Sequence, residues 1–200
     1  MSYGLNLFLV DPALVRGIVG GRDEKQRRMM GGRFKRAMAR DDDWFADRIA
    51  EGAPTAYEAL RAVIDGGPFD PEHAFQYAYA YQRICEFHGR RLDNSSFSPF
   101  RYGWLGRVDE GLTALGVTAV EVTSFTYADF PAPLPRPEEL PGHGTWSAAD
   151  CARALEQWEA TTPDQRAALD PEVREAVESI ADWLRHTAAK PDTGVLGFFS

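Results

Sequence analysis

The alternation of apolar and polar positions predicts a chain that begins and ends in strands. In residues 3 to 10, Leu5, Leu7 and Leu9 occupy alternate positions, and successive residues of a strand point to opposite faces. Chain ends are usually polar and frayed. The last residues, GVLGFFS, are instead almost wholly apolar, so they predict a strand docked in the same sheet. Residues 117 to 127, VTAVEVTSFTY, are rich in β-branched side chains and predict a third strand.

Between these strands, apolar residues recur at three- and four-residue spacing, which is typical of amphipathic helices. Capping residues mark the helix starts: Thr55 is followed by Glu58, Ser147 by Asp150, and Asp170 by a proline. Helices therefore outnumber strands. The pattern predicts a helix-rich α+β fold with a small sheet built from the N-terminal, C-terminal and 117–127 strands.

The stretch FQYAYAYQRICEFHG, residues 75 to 89, permits two interpretations. Its tyrosines recur at every second position, which favours a strand. The flanks favour a helix, because Asp70 and Pro71 form a helix start and Gly89 a stop. The distance between these signals is too long for an ordinary strand. A helix here places one set of residues on its inner face: Tyr77, Tyr81, Ile84, Cys85 and His88.

The length of the chain, 200 residues, predicts a single domain over residues 1–200, since a chain of this size buries roughly 70% of its unfolded surface. Five prolines in PAPLPRPEELP predict an extended, proline-rich loop, which we place at residues 128–146. This loop is the one candidate for a division of the chain.

Composition excludes several classes of protein. Apolar residues make up 44% of the chain and aromatic residues 12%, which are globular rather than disordered values. The start MSYGLNLFLVDP lacks the basic and long apolar regions of a signal peptide, and no segment reaches the ~20 apolar residues that span a bilayer. Two cysteines, Cys85 and Cys151, are too few for a disulfide framework or a zinc site. We therefore expect a cytoplasmic protein without a membrane partner.

Metal and nucleotide sites are not predicted. Asp41, Asp42 and Asp43 are consecutive, so their side chains point in different directions instead of converging on a cation. They are better explained as the cap of a helix that carries Trp44 and Phe45. The glycines at residues 17 to 21 lack the lysine and the spacing of a phosphate or dinucleotide loop. No cofactor is expected.

Charge is unevenly distributed along the chain. The net charge is −8, but residues 22 to 40 hold eight basic residues against Asp23 and Glu24. That segment carries +6, so the remainder carries −14. We predict a helix only from Arg33 onwards, because Gly31 and Gly32 interrupt the segment.

This basic segment is either a solvated face or a docking surface for an acidic partner or RNA. The overall negative charge argues against general nucleic-acid binding. No aromatic residues interleave with the basic ones to stack on bases, so an acidic protein is the better partner. The candidate partner-binding residues are Arg33, Lys35 and Arg36.

The catalytic candidates are Cys85, His88 and His143. Cys85 and His88 are neighbours on the predicted helix because they are three residues apart. A catalytic thiol needs a lowered pKa, an orienting group and access to substrate, whereas this aromatic face favours a packed core thiol. His143 lies between glycines in PGHGTW; it is either part of a binding loop or a structural histidine.

A small-molecule site would require residues that are far apart in sequence. The pocket would lie between the tyrosine helix, the FRYGW turn and the HGTW segment. Its ligand-binding candidates are Tyr77, Tyr81, Arg101, Tyr102 and Trp146. An aromatic stripe at helical spacing is more typical of a core than of a pocket.

Several segments resemble an uncharacterised family of actinobacterial proteins of about this length. They are AYEALRAVIDG, RICEFHGRRLDNSSFSPFRYGWLGRVDEGLTALGV, PLPRPEELPGHGTWS and GVLGFFS. The layout is also similar to that of YfbM-like proteins. Neither resemblance implies an activity or a catalytic residue, and the oligomeric state is left open.

Two hypotheses remain. The first is a cytoplasmic protein-interaction protein of the immunity or regulatory kind. The second is a small-molecule-binding sensor or hydrolase-type enzyme with a pocket near Cys85, His88 and His143.

Overall fold

The computed structural model describes residues 2–200, which divide into two compact units. Unit 1 contains the segment that ends at Pro12 together with Gly89–Ala128 and Gly142–Ser200. Unit 2 contains Ala13–His88 and Asp129–Pro141. The predicted helix-rich α+β class is confirmed. The single domain over residues 1–200 stays a prediction.

Unit 1 holds one antiparallel sheet. Its strands are β1 (Leu5–Val10), β2 (Arg90–Arg91), β3 (Gly142–Trp146) and β4 (Gly194–Phe199), in the order β2-β1-β4-β3. The two terminal strands pair at the centre, where Leu7 lies opposite Gly197. Leu5 and Leu7 are fully buried. The apolar ends of the chain therefore form the middle of the sheet, as their sequences predict.

The predicted strand at residues 117 to 127 is wrong. Residues Val122–Thr126 form a 3-10 turn, and the Asp109 carboxylate accepts hydrogen bonds from the backbone N–H groups of Val122 and Thr123. A side chain distant in sequence thus replaces the partner strand that these N–H groups would otherwise need. The β-branched residues are present because the segment is packed into the core, where Val117, Val120 and Val122 are buried.

The third long strand is β3, which lies inside the predicted proline-rich loop. Only Thr145 and Trp146 of its five residues favour a strand, and two of the others are glycines, so the strand signal in the sequence is weak. Gly144 is required by close packing, because a Cβ there would lie 2.3 Å from the Ser124 carbonyl oxygen. The proline-rich loop therefore ends at Pro141 and not at residue 146.

Five helices make up unit 2. They are α1 (Pro12–Ile18), α2 (Glu24–Trp44), α3 (Ala46–Ala50), α4 (Ala56–Asp65) and α5 (Ala74–His88). The predicted break at Gly31 and Gly32 is wrong, since α2 is continuous through both. Gly31 packs beneath Tyr57; a Cβ at Gly31 would lie 2.7 Å from its Cε2 atom. The helix begins with an Asp23 cap, which accepts the Gln26 N–H at 3.0 Å.

The acidic run Asp41 to Asp43 lies in the last turn of α2 and does not start a new helix. Negative charge is unfavourable at a helix C-terminus, and two of these carboxylates have tertiary partners that offset the cost. Asp41 pairs with Arg83 of α5 at 2.9 Å. Asp42 accepts the Ala56 N–H at 2.7 Å and so caps α4 from another helix.

The tyrosine stretch is a helix, as its flanks predict. A 3-10 turn at Pro71–His73 precedes α5, and the Asp70 side chain accepts the Glu72 N–H at 3.0 Å. The predicted inner face is buried at Tyr77, Tyr81, Ile84 and Cys85, and His88 is half-buried. Length and capping therefore outweigh the period-two tyrosines.

Unit 1 adds four helices: α6 (Trp104–Ala114), α7 (Ala148–Glu159), α8 (Pro163–Ala167) and α9 (Pro171–Ala188). They pack with the sheet around an aromatic core. Trp183 of α9 is buried against Phe97, with ring centroids 5.1 Å apart. Its indole N–H donates to the Asp93 carbonyl at 2.8 Å, which satisfies the polar atom of this buried side chain.

Candidate functional site

The most distinctive surface of the protein is the outer side of α2. Met30, Phe34 and Met38 are buried on the inner side, and they recur every fourth residue as an amphipathic helix requires. The basic residues lie on the solvent side. We call this set the cationic face; its exposed members are Lys25, Arg28, Arg33, Lys35, Arg36 and Arg40.

The basic residues of the cationic face form no ion pairs with the described part of the chain. No carboxylate oxygen of residues 2–200 lies within 4.0 Å of any of its six charged groups. Arg27, which is half-buried on the same helix, pairs with Asp65 at 3.1 Å. Arg27, which has an ion pair, is therefore half-buried, whereas the six basic residues of the cationic face are exposed and have no ion pair in the described chain.

Aromatic and apolar side chains accompany the charges of the cationic face. Arg33 is held against aromatic rings, because its Cζ atom lies 5.6 Å from the centroids of both Phe34 and Phe87. Trp44, one turn after Arg40, is 83% exposed, and Met29 is 50% exposed. Tryptophan, methionine and arginine are enriched at protein interfaces. The cationic face therefore combines exposed charges with exposed apolar and aromatic side chains.

The sequence pattern predicts the cations of this face but not Trp44. The pattern places Trp44 in a separate helix with Phe45. Phe45 does pack, with its ring centroid 5.0 Å from that of Phe75. The helical periodicity of α2 could have predicted that Trp44 is exposed. If the helix is continued past the glycines, Trp44 falls one turn after Arg40 and away from the buried side.

The catalytic candidates on α5 lie in a packed environment. Cys85 is fully buried, and its burial raises the pKa of the thiol above the ordinary 9.0. Burial lowers the pKa of His88. The His88 Nε2 atom lies 3.0 Å from the Gln26 side-chain oxygen. Since a nucleophilic thiol needs a lowered pKa and access, this geometry supports the packed-core interpretation.

The tyrosines of α5 also serve packing. The Tyr77 hydroxyl accepts the Asp70 N–H at 3.2 Å, and Tyr77 lines a shallow cavity of about 470 Å³ with Arg27 and Arg61. Tyr81 is buried, and desolvation raises the pKa of its phenol. Its ring lies edge-on to Phe130, with centroids 6.2 Å apart.

His143 and Trp146 belong to strand β3. The buried His143 ring lies 5.2 Å from that of Phe198 on the adjacent strand. The Trp146 indole N–H donates to the Glu121 carbonyl at 3.1 Å and to the Ser124 hydroxyl at 3.0 Å. The two Trp146 hydrogen bonds hold the turn at Val122–Thr126 against β3, and the His143 ring packs against the neighbouring strand β4.

Arg101 and Tyr102 do meet at a cavity. They line a groove of about 730 Å³ in unit 1, together with Trp104, Arg107, Glu172 and Glu175. Of the candidates within unit 1, His143 and Trp146 are not among the residues that line it.

Residues 2–200 contain neither a metal-ligand cluster nor a membrane-spanning helix. No three His, Cys, Asp or Glu side chains in this part of the chain are grouped so that they could hold a metal ion. None of its helices combines the length and the apolar character needed to cross a bilayer.

The structure defines a helix-rich α+β protein with an exposed cationic face on α2. The whole chain, residues 1–200, matches the family described as Domain of unknown function (DUF7691), and the protein belongs to that family. No curated protein and no solved structure matches the chain. The predicted membership of an uncharacterised family is thus confirmed; the actinobacterial origin and the likeness to YfbM-like proteins stay predictions.

Proposed function

We propose that this protein is a cytoplasmic interaction protein, of the immunity or regulatory kind, whose cationic face binds an acidic protein partner. The observation that carries the proposal is the set of six exposed cations on α2 without an ion pair in the described chain. The cytoplasmic setting is supported by two buried, free cysteines.

The cationic face costs the isolated protein stability. Lys25 and Arg28, Arg33 and Arg36, and Arg36 and Arg40 are three or four residues apart on one helix. Like charges at this spacing destabilise a helix by a few tenths of a kcal/mol per pair. Carboxylates supplied by a partner offset this repulsion, and the local field speeds the encounter with an acidic surface.

A protein partner is favoured over a nucleic acid by the extent of the positive surface. A helix of 21 residues is about 30 Å long, and the chain outside residues 22 to 40 carries −14. An extended polyanion that runs beyond α2 would meet this acidic remainder. A compact acidic patch on a protein matches the length of α2.

Trp44 and Met29 supply the apolar contact that charge by itself lacks. Interface energy is concentrated in a few aromatic and arginine side chains surrounded by weaker polar contacts. We therefore assign Trp44 as the anchor of the interface, with Arg40 beside it. Arg33, Lys35 and Arg36 provide selectivity for an acidic partner.

The test compares two charge reversals of equal size. The variant Arg33→Glu, Lys35→Glu, Arg36→Glu alters the cationic face. The control Arg61→Glu, Arg153→Glu, Lys190→Glu alters three exposed cations elsewhere. Each protein captures partners from an extract of its source cells, and the partners are identified by mass spectrometry.

We expect a partner with an acidic surface to bind wild type and the control but to be lost from the α2 variant. With that partner purified, the dissociation constant should rise by about 100-fold or more, from lost charge-assisted contacts of about 1.5 kcal/mol each. If the α2 variant retains every partner, the proposal is wrong. Tighter binding of duplex DNA than of poly-L-glutamate to wild type would reject a protein partner in favour of nucleic acid.

A further inference from the structure

The groove in unit 1 is a second surface with the features of a binding site, independent of α2. It lies between the turn at residues 95 to 102, the start of α6 and the first turns of α9. Its volume of about 730 Å³ is within the range of small-molecule sites. Tyr102 stands at this groove and is 92% exposed.

Trp104, on one wall of the groove, is held in place by two hydrogen bonds. The Trp104 indole N–H donates to the Ser96 carbonyl at 2.8 Å, and the Trp104 backbone N–H donates to the Arg101 carbonyl at 3.1 Å. Gly103 has φ +84°, a left-handed conformation that closes this turn and that other residues rarely adopt. A ligand would meet a preformed surface, which reduces the entropic cost of binding.

The Trp104 ring already carries a guanidinium group. The Arg107 Cζ atom lies 5.4 Å from the centroid of the ring. Arg107 is also 3.6 Å from Asp170, whose carboxylate caps α9 by accepting the N–H groups of Glu172 and Val173. The charge of Arg107 is thus compensated within the protein.

Three charged groups of the groove are not compensated. In the part of the chain that the structure describes, Arg101, Glu172 and Glu175 have no ion-pair partner. All three are exposed. The two carboxylates are one turn apart on α9 and repel each other. The groove therefore offers two acceptors for cations and one donor for a carboxylate.

We infer that this groove binds a ligand with two cationic groups and one carboxylate, namely a basic amino acid or a short peptide that begins with a basic residue. The ammonium and guanidinium groups of such a ligand pair with Glu172 and Glu175. Its carboxylate pairs with Arg101, whose guanidinium donates two parallel hydrogen bonds to the carboxylate oxygens. The Tyr102 ring covers the aliphatic or guanidinium part of the ligand.

The test follows the indole N–H resonance of Trp104 by NMR, assigned with the variant Trp104→Phe. The probes are L-arginine and the tripeptide arginyl-glycyl-glycine. The matched control ligands are L-citrulline, which has the shape of arginine without the guanidinium charge, and agmatine, which lacks the carboxylate. The matched control variant is Glu178→Gln, an exposed glutamate of α9 that does not line the groove.

We expect arginine or the tripeptide to shift the Trp104 resonance, and citrulline to bind about tenfold more weakly or worse. The double variant Glu172→Gln, Glu175→Gln should lose a similar factor, whereas Glu178→Gln should match wild type. Arg101→Gln should weaken arginine but not agmatine. The tighter of the two probes shows whether the ligand is a free amino acid or a peptide.

The inference is overturned if neither probe shifts the resonance, or if citrulline binds as well as arginine. Equal binding by wild type and the Glu172→Gln, Glu175→Gln variant would also overturn it. The control ligands act on the unaltered protein, so the result does not depend on whether a variant folds.

Discussion

Arg83, the single arginine of helix α5, and the basic residues on the cationic face of helix α2 differ in their ion pairing. On α5, Arg83 is largely buried and pairs with Asp41 at 2.9 Å and with Glu86 at 2.8 Å. On the cationic face of α2, six exposed basic residues have no carboxylate within 4.0 Å anywhere in residues 2–200. The ion pairs of Arg83 therefore stabilise the fold, whereas the basic residues of the cationic face make no such contribution.

This difference follows from solvent exposure. Exposed ion pairs contribute little because water screens them and long side chains lose entropy. Partly buried pairs matter more, since removing one member leaves the other desolvated without a partner. A charge on α5 without a partner would destabilise the protein, whereas a charge on α2 is tolerated. The first and last of four predictions test this comparison directly, and the other two test the burial of α5 and the continuity of α2 on which it depends.

The largest effect is expected for Arg83→Met. The substitution leaves the Asp41 and Glu86 carboxylates without their cation, with exposed side-chain fractions of 31% and 27%. We expect the free energy of unfolding to fall by about 2 kcal/mol. Chemical denaturation measures this, with Arg36→Met on the cationic face as the matched control. Equal stabilities for the two variants would mean that α5 does not depend on its ion pairs.

The second prediction concerns pH and the buried thiol of α5. Burial raises the pKa of Cys85 above 9.0 in the folded protein, so above pH 9.0 the unfolded chain ionises while the folded chain does not. The stability that this thiol contributes is present below pH 9.0 and is lost as pH rises, by up to about 1.4 kcal/mol per pH unit.

The stabilities of wild type and Cys85→Ala, compared between about pH 8 and pH 10, check this sign. The difference between them should change in favour of Cys85→Ala as pH rises. A difference that stays constant over this range would show that the thiol ionises equally in both states.

The third prediction tests the continuity of α2. A Cβ at Gly32 would meet nothing within 4 Å, so Gly32→Ala should raise the free energy of unfolding by about 1 kcal/mol through helix propensity. Gly31→Ala should gain less or lose stability, because its Cβ would lie 2.7 Å from Tyr57. Thermal or chemical denaturation separates the pair. If Gly32→Ala is destabilising, the helix is broken at the glycines.

The smallest effect on stability is expected for the reversal of Arg33, Lys35 and Arg36 to glutamate. These residues are exposed and have no ion pairs in the described structure, and the replacement by glutamate preserves helix propensity. The free energy of unfolding should change by less than about 1 kcal/mol, most of it from the ring contacts of Arg33. A loss of stability as large as that of Arg83→Met would mean that these residues stabilise the fold and are not reserved for binding a partner.

Much of the fold is predictable from sequence because its signals are local. The capping boxes at Thr55 and Ser147 are present as predicted. The helical phase of α5 correctly places Tyr77, Tyr81 and Cys85 inside. The cations of α2 are evident from the charge of residues 22 to 40. Arg101 and Tyr102 are ligand-binding candidates from the FRYGW turn, and their role stays a prediction. Glu172 and Glu175 are not predicted, since nothing in the sequence relates them to the FRYGW turn, which is distant along the chain.

The sequence by itself determined where most of the helices lie, that the N-terminal and C-terminal segments both form strands, and that positive charge is concentrated in one segment. These are properties of neighbouring residues, set by periodicity and capping. The tertiary structure decided that residues 142 to 146 and not 117 to 127 complete the sheet, and that α2 continues through its glycines. It also decided which charges have partners. The physical reason is that each of these features depends on a second segment of the chain. Strand pairing, a close contact at a glycine and an ion pair all need a partner from elsewhere in the sequence, as Val122 needs Asp109 and Arg83 needs Asp41.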